Sequence, residues 1–495
     1  MTSIEIHRIP GPVRQLVRRV KGAGGTAMLV GGAVIDLIQG REPKDWDLEV
    51  FGLGYSRLET LFADLNPKTV GKSFGIIKIT VDGFDVDVNV PCTSNHVGAS
   101  HPEFQTAMDP TMTVAEAARR RDFTLNAMAV NLDTGALEDP FGGEADLAAG
   151  ILRATDAELF TQDPVRALRA MQLLARKAKT VDPATMTLIR GLREALTFEP
   201  HERLLPEFEK LLLKAERPSV GLHFLVDSGL IEMFPELNAL RETDQHPEWH
   251  PEGNVWTHAC LAADAMAEIR DEIPEHQRTA FAFGVFLHDM GKPEKTITPE
   301  MIAAQDPRVK KLAEENGKQP EDMLWTAYGH DVAGMDPSET FLRRLTNNTK
   351  LINLVRGIVG MHMRPWSLRA GNAGKGGYAR LARGMELAGG DLRLIGRMCQ
   401  CDSCASVPDG SRSLASGSPN WEHESSSRIF DWAEKFDADN SAVQPKVQGR
   451  DLIKAGLKPG PLFGKILAEA LELQFSDDTL DADQILAQVL PVGEA

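Results

Sequence analysis

The stretch LVGGAVIDLIQGREPKDWDLEVFG, residues 29–52, decides how the first part of the chain is read. A β-branched run over 26–30 ends at Gly31-Gly32, and the apolar run after it suits a short helix. Two glycines let a backbone approach a ligand closely, and the unpaired N–H groups of a helix start attract phosphate. Asp45 and Asp47 follow. At spacing two on an extended strand their carboxylates point the same way. Such a pair can hold two Mg2+ ions about 4 Å apart, the arrangement of metal-assisted phosphoryl chemistry. Alone the motif is weak, because a plain glycine turn and solvated loop carboxylates explain it equally well.

Working outward, strand signals recur at residues 47–51, 75–81, 84–90 and 127–131. In 84–90 the residues Phe84, Val86, Val88 and Val90 share one face, and Asp85, Asp87 and Asn89 the other. A mixed α/β head is expected. After Asp163 helical periodicity dominates to about Arg397, with a break expected between Pro200 and Pro206. Residues 403–427, rich in Ser, Gly and Pro, read as a linker, and 449–489 as a last helical unit. No internal repeat is visible.

At 495 residues the chain suits about two to four domains. Its 42% hydrophobic and 25% charged residues are ordinary for globular proteins. No apolar run approaches the roughly 20 residues of a membrane span, and the first residues carry no signal-peptide core. Five cysteines fit a reducing cytoplasm rather than a disulfide framework. The net charge of −17 argues against indiscriminate nucleic-acid binding and against a packaging role, but not against a local basic track.

Two further stretches give the glycine–carboxylate segment its meaning. RRRDFTLNAMAVN, residues 119–131, sets three arginines before an apolar run. A charge run is commonly a solvated face, yet beside a carboxylate strand guanidinium forks suit a triphosphate. In QDPVRALRAMQLLARK, residues 162–177, Asp163 is placed to cap a helix whose first residue is Pro164. Arg166 and Arg169 lie one turn apart on one face. Asp163 and Arg166 together offer acceptors and donors suited to the Watson–Crick edge of a base.

In this order GGAVID, DWD, RRRDFTLNA, DPFGG (139–143) and QDPVRALR make the chain resemble the class II tRNA nucleotidyltransferases, or CCA-adding enzymes, and the related bacterial poly(A) polymerases. The resemblance runs over nearly the whole length. It implies an α+β protein with four parts. They are a mixed α/β nucleotidyltransferase head of polymerase-β type (1–145), an all-α neck and body for nucleotide selection and RNA binding (146–245), an HD domain (246–405), and a linker with a helical tail (406–495). It implies Asp45 and Asp47 as catalytic ligands of Mg2+. Gly31, Gly32, Arg119, Arg120, Asp122, Asn126 and Arg169 would bind nucleotide. Asp163 and Arg166 would form the amino-acid template that selects CTP and then ATP. The implied partners are the 3′ end of tRNA, CTP and ATP, with no DNA and no membrane. Asp87 is a third carboxylate of lower rank.

Three positions depart from the family pattern. Ile35 stands where arginine is usual, Cys92 where a basic residue follows the strand, and Gln162 where glutamate opens the template run. Gln162 hydrogen-bonds but does not pair as a charge, so a less rigid Arg166 and looser nucleotide choice are expected.

The helical half carries HPEWHPEGNVWTH (246–258), FLHDMGK (286–292), YGHD (328–331), GMHMRP (360–365) and CQCDSC (399–404). A lone helical histidine is commonly a packed core residue. An ordered set of imidazoles and carboxylates on separate helices is how a bundle builds a metal site. This set resembles the HD phosphohydrolase superfamily and the HD domain fused to some bacterial CCA-adding enzymes. The resemblance implies that His258, His288, Asp289 and Asp402 bind a divalent transition metal or Mg2+, and that His330 and His362 join a second ion or hold phosphate. It implies hydrolysis of phosphate esters, including cyclic phosphates. Cys399, Cys401 and Cys404 lack the matching second pair of a zinc site and read as small buried helix residues. In the tail, Arg450, Lys454, Lys458 and Lys465 suit RNA or a plain solvated face equally well. The run between Lys295 and Trp325 is an insertion relative to the family. Rival readings are a poly(A) or A-only polymerase, and an HD phosphohydrolase with a degenerate RNA-binding head; the intact DWD and RRRDFT argue against degeneracy.

Overall fold

The computed structural model describes residues 4–70, 76–97, 103–406, 423–439, 445–477 and 479–490. The chain divides into two compact units, Met1–Pro200 with Phe224–Leu230, and His201–His223 with Ile231–Ala495.

The first unit is built from strands β1 (Thr26–Val30), β2 (Trp46–Phe51), β3 (Lys68–Val70), β4 (Ile76–Val81), β5 (Phe84–Asn89), β6 (Cys92–Val97), β7 (Glu103–Met108), β8 (Ala129–Asn131) and β9 (Leu137–Glu138). Seven of them form a mixed sheet in the order β3-β4-β5-β2-β1-β8-β9, and β6 pairs with β7 apart from it. β2 lies antiparallel to β1 and parallel to β5, with Asp47 level with Asp87. The alternation in β5 holds: Val86 and Val88 are buried while Asp85 is exposed. The helix Gly11–Gly22 turns Val13, Leu16, Val17 and Val20 inward at helical spacing. One expected strand starts late. Asp122 accepts hydrogen bonds from the Phe123 N–H and the Asn126 amide, and the chain winds into a 3-10 turn over Thr124–Asn126 before β8 begins.

The second unit is helical. Val255–Ile269, Glu275–Leu287, Thr349–Met361 and Leu392–Ala405 pack on one another. The helix Glu275–Leu287 buries Ala280 through Leu287 without a gap, the pattern of a helix enclosed on all sides. Phe208, Phe234 and Phe341 meet edge to face at 5.5–5.7 Å. The break expected between Pro200 and Pro206 falls at the Pro200 end: Arg193–Leu196 ends before it and His201–Lys214 begins after it, running on through Pro206 with Leu204, Phe208, Leu211 and Leu212 buried. The insertion forms helices Pro299–Ala303 and Pro307–Asn316 around a small core of Ile297, Val309, Leu312, Ala313 and Met323. The linker is shorter than expected, because helices reach Ala405 and resume over Glu424–Asp439; residues 407–422 lie outside the described residues. The tail packs Val447, Leu452, Ile466, Ala470, Ile485 and Val489 together. No helix among the described residues is long and apolar enough to cross a membrane.

Candidate active sites

In the first unit β1 delivers the chain to Gly31, whose φ of 72° suits glycine and which precedes the helix Gly32–Ile38. A Cβ added to Gly31 would meet Asp47 Oδ2 at 3.5 Å and Arg121 Nη1 at 3.9 Å. The elbow is therefore flanked by a carboxylate and a guanidinium. Asp47 is half-buried in β2, and Asp45 is exposed in the bend just before the strand. Burial pushes the Asp47 carboxyl above the ordinary aspartate range, and the charges of Asp87 and Asp45 add to the push while Arg121 and Lys78 oppose it. Lys78 Nζ stands 2.7 Å from Asp87 Oδ2. Carboxylates crowded this way fit a divalent cation, which relieves both their repulsion and the cost of burial.

The three arginines separate. Arg119 donates to Asp156, 2.7 Å away. Arg120 donates to Glu49 at 2.9 Å, and Arg121 Nη2 lies 3.5 Å from the other Glu49 oxygen. Glu49 is 3% exposed. Of the three arginines in the run it is Arg121 that stands beside the elbow, and the buried Glu49 between Arg120 and Arg121 was not among the residues expected there. A signal for Glu49 was present, since it lies two residues beyond Asp47 on β2 and so on the same strand face.

In the template segment Asp163 accepts the Val165 N–H at 3.2 Å, as a helix cap does. Arg166 donates to the backbone carbonyls of Leu159 at 3.0 Å and Arg120 at 2.6 Å, and its guanidinium lies over the Phe160 ring. Arg169 donates to Asp122 at 2.9 Å. Arg169 and Arg166 thus both reach the 119–131 segment, one through the Asp122 carboxylate and the other through the Arg120 carbonyl. Gln162 is not what holds Arg166 here: two carbonyls and a ring contact it.

In the second unit the histidines converge. Carbonyl oxygens only accept, so His288, His330 and His362 each carry a proton on Nδ1, donated at 2.7 Å to Val285, Ala327 and Val359 respectively. His258 Nδ1 stands 2.7 Å from Glu252 Oε1. All four rings therefore turn Nε2 inward. His258 and His288 face Nε2 to Nε2 at 3.2 Å, and His330 and His362 at 3.0 Å. Two nitrogen lone pairs at that distance repel unless a cation or proton lies between them.

The carboxylates complete two groups. Asp402 Oδ1 is 3.0 Å from His258 Nε2. Asp289 sends Oδ2 to 3.2 Å from His288 Nε2 and Oδ1 to 3.2 Å from His330 Nε2. Donor atoms of His258, His288 and Asp289 lie within 4.8 Å of one another, as do those of Asp289, His330 and His362. The set fits two divalent ions sharing Asp289. Burial and the neighbouring imidazoles push His362 down to about 3, so it is neutral, as a ligand must be. Burial would lower His258 too, but its bonds to Asp402 and Glu252 raise it to about 9; a proton there occupies the place a cation would take. Lys292 Nζ is 2.7 Å from Asp289 Oδ2 but not aligned for a hydrogen bond, and donates instead to Gln245 at 2.6 Å. Glu252, Lys292 and Gln245 escaped the sequence reading, because second-layer partners have no fixed spacing. Cys399, Cys401 and Cys404 are buried, and burial pushes the Cys399 and Cys401 thiols up, which suits packing and not metal ligation.

Residues 27–153 match the family model of the poly A polymerase head domain, and residues 180–240 that of the "Probable RNA and SrmB- binding site of polymerase A". A multifunctional CCA protein of Neisseria meningitidis is 31% identical over 64% of this chain and 67% of its own length. One from Stenotrophomonas maltophilia is 29% identical over 89% of this chain and 97% of its own. The fold matches that of the Bacillus stearothermophilus CCA-adding enzyme in complex with CTP (TM-score 0.62, 18% identity, 97% of each chain). It also matches the Thermotoga maritima CCA-adding enzyme complexed with tRNA (TM-score 0.52, 19% identity, 99% and 98% of the chains). With the glycine elbow, the carboxylate strand and the template helix in one unit, the chain belongs to the family of class II CCA-adding enzymes, the multifunctional CCA proteins.

Proposed function

We propose that the chain completes tRNA 3′ ends by adding C, C and A from CTP and ATP without a nucleic-acid template, and that its helical unit hydrolyses phosphate esters. The observation that carries the first reading is the Gly31 elbow lying between Asp47 and Arg121. The RNA 3′-hydroxyl attacks the α-phosphate, the new P–O bond forms as the bond to the β-phosphate oxygen breaks, and pyrophosphate leaves. Asp45 and Asp47 would hold Mg2+, which would supply positive charge at the α-phosphate and acidity to the attacking hydroxyl. The elbow N–H groups of Gly31 and Gly32 cradle the triphosphate, and Arg121 pairs with its outer oxygens. Glu49 holds Arg120 and Arg121 in place. Asp163 and Arg166 read the base edge, with Arg166 fixed by two carbonyls.

The second reading rests on the four inward Nε2 atoms and the shared Asp289. The histidines with Asp289 and Asp402 would hold divalent ions, which would supply Lewis acidity to a phosphoryl oxygen and to water. The water oxygen bonds to phosphorus, the ester P–O bond breaks, and the alcohol leaves with a proton; a cyclic phosphate opens the same way. Asp289, Asp402 and the histidines fix the geometry, and Lys292 beside Asp289 offers a charge to the phosphate. The parts are assigned as head 1–145, neck and body 146–245, HD domain 246–405 and tail 406–495, in the cytoplasm.

The test incubates purified protein with tRNA lacking its 3′ end and each nucleotide separately, and sequences the products. CC from CTP alone, and CCA from both, is expected. Runs of A from ATP alone would overturn CCA addition in favour of poly(A) synthesis.

A further inference from the structure

Beside the HD centre lies a group of rings that the hydrolytic chemistry does not use. The Trp249 ring is 68% exposed, unusual for the largest apolar side chain. His246 lies between two tryptophans, its ring centroid 6.2 Å from that of Trp249 and 6.4 Å from that of Trp325. Both segments that carry these rings are tied to the metal ligands. Gln245, next to His246, accepts from Lys292, which stands against Asp289. His250, next to Trp249, bonds Glu252 and sets its ring 5.0 Å from that of His258. On the other side Ala327, two residues after Trp325, accepts the Nδ1 proton of His330.

Trp325 is also held in an unfavourable backbone state. Its φ is 57°, a conformation that bulky residues rarely adopt. The insertion imposes it: Trp325 N–H donates to the Ile297 carbonyl at 2.8 Å, and Ile297 N–H returns to Thr326 at 3.2 Å, closing a loop around the insertion core. A strained residue that places a ring beside a reactive centre suggests recognition rather than packing. A cavity of about 840 Å³ in the same unit is lined by Glu236, Glu294, Glu315 and Asp336 against a single cation, Lys295, an acidic excess that disfavours phosphate.

We propose that His246, Trp249 and Trp325 form a nucleobase-stacking subsite, so that the HD centre takes the phosphate of a base-bearing ribose in preference to a base-free ester. Every base offers a π face, so a stacking platform tolerates any sequence at an RNA end. The inference rests on the hydrolytic reading of the HD centre for its consequence, but not for its geometry.

The full chain loaded with Mn2+ is assayed on adenosine 2′,3′-cyclic phosphate and on the base-free methyl riboside 2′,3′-cyclic phosphate. Trp249→Ala raises KM for the nucleotide about tenfold, the scale of one lost base–aromatic stack, with kcat within about twofold and the base-free ester unaffected. Trp249→Phe keeps most of the preference. Independently of turnover, 5-iodouridine 2′-phosphate photo-crosslinked to metal-free protein labels the peptide of Trp249 or Trp325. Equal changes for both substrates, no change for either, or crosslinks confined to other peptides overturn the subsite. A wild type that hydrolyses neither ester while crosslinking at Trp249 removes the hydrolytic reading and leaves the subsite standing.

Discussion

In the proposed transfer reaction Asp47 is the pivotal side chain, since its carboxylate faces the elbow, neighbours Asp87 and stands opposite Arg121. Asp47→Asn is expected to lower incorporation of radiolabelled CTP by about 10³-fold, the scale of losing a preorganised charge at a reacting phosphate. Normal incorporation would show that the cation is held elsewhere. Arg166 makes a different claim. Arg166→Ala should reduce discrimination among CTP, ATP, UTP and GTP by tenfold or more, since each unpaired edge costs about 1–3 kcal/mol. Because two carbonyls already hold Arg166, Gln162→Glu should shift those kcat/KM ratios by less than about threefold. A large sharpening would mean that the guanidinium is loose in solution. Asp122 governs pH. Burial alone would raise its carboxyl, but Arg169, Asn126 and the charge of Arg166 outweigh burial and hold it below the ordinary value. A carboxyl with a depressed folded pKa stabilises fully above the unfolded value and progressively less as pH falls through the folded one. The urea midpoint of the wild type should therefore exceed that of Asp122→Asn at pH 7, with the lead shrinking below about pH 4. A lead that is constant with pH would show that the carboxylate charge contributes nothing.

Among elements, close approaches do what spacing cannot announce. Gly291, just after the His288-Asp289 pair, packs so tightly on the backbone of His330 that an added Cβ would overlap the His330 carbonyl. The Lys292–Lys295 turn and the His330–Ala333 turn are thereby locked together, and with them two ligands of the shared Asp289 group. Gly291→Ala should push His330 off its position and lower bound Mn2+ toward one ion per chain, as read by metal analysis after dialysis; two ions retained would show that the turns can yield. The sequence made some of this architecture legible and hid the rest. β5 was plain, since Val86 and Val88 alternate with polar residues, and His258 and His288-Asp289 stood out as motifs. β3, β9 and the β6–β7 hairpin were hidden because they are short or lack apolar alternation. Pro206 sits inside a helix, because helix-breaking is a local preference and the burial of Phe208 and Leu211 is a tertiary gain that overrides it. Arg121 and Arg119 look alike in the run RRR, and only the fold sends one toward Asp47 and the other to Asp156.

At the scale of the molecule, the two units hold two donor sets with no residue in common, so each activity should be removable alone. Asp289→Ala is expected to abolish phosphoester hydrolysis while CTP incorporation stays within about twofold, and combination with Asp47→Asn should give the product of the single effects. The second unit also carries a consequence for stability. Four imidazoles turned inward on the buried Asp289 and the half-buried Asp402 form a site that exists only in the folded state. An ion that binds N and not U stabilises by mass action, about 2.7 kcal/mol at a hundredfold excess over Kd. For a unit of this size that amounts to a rise in Tm on the order of 5 °C or more. Mn2+ or Co2+ added to EDTA-stripped protein should therefore shift the unfolding transition upward in the wild type and much less in Asp289→Ala, which loses the carboxylate common to both groups. The shift should grow as pH rises toward the value of about 9 at His258 and level off above it, because the ion must displace the proton that His258 shares with Asp402. The sign follows from that displacement: lowering the pH from 9 to 7 strengthens the competing proton and weakens apparent metal affinity. An affinity that does not change with pH, or a Tm shift equal in wild type and variant, would place the ion away from these histidines.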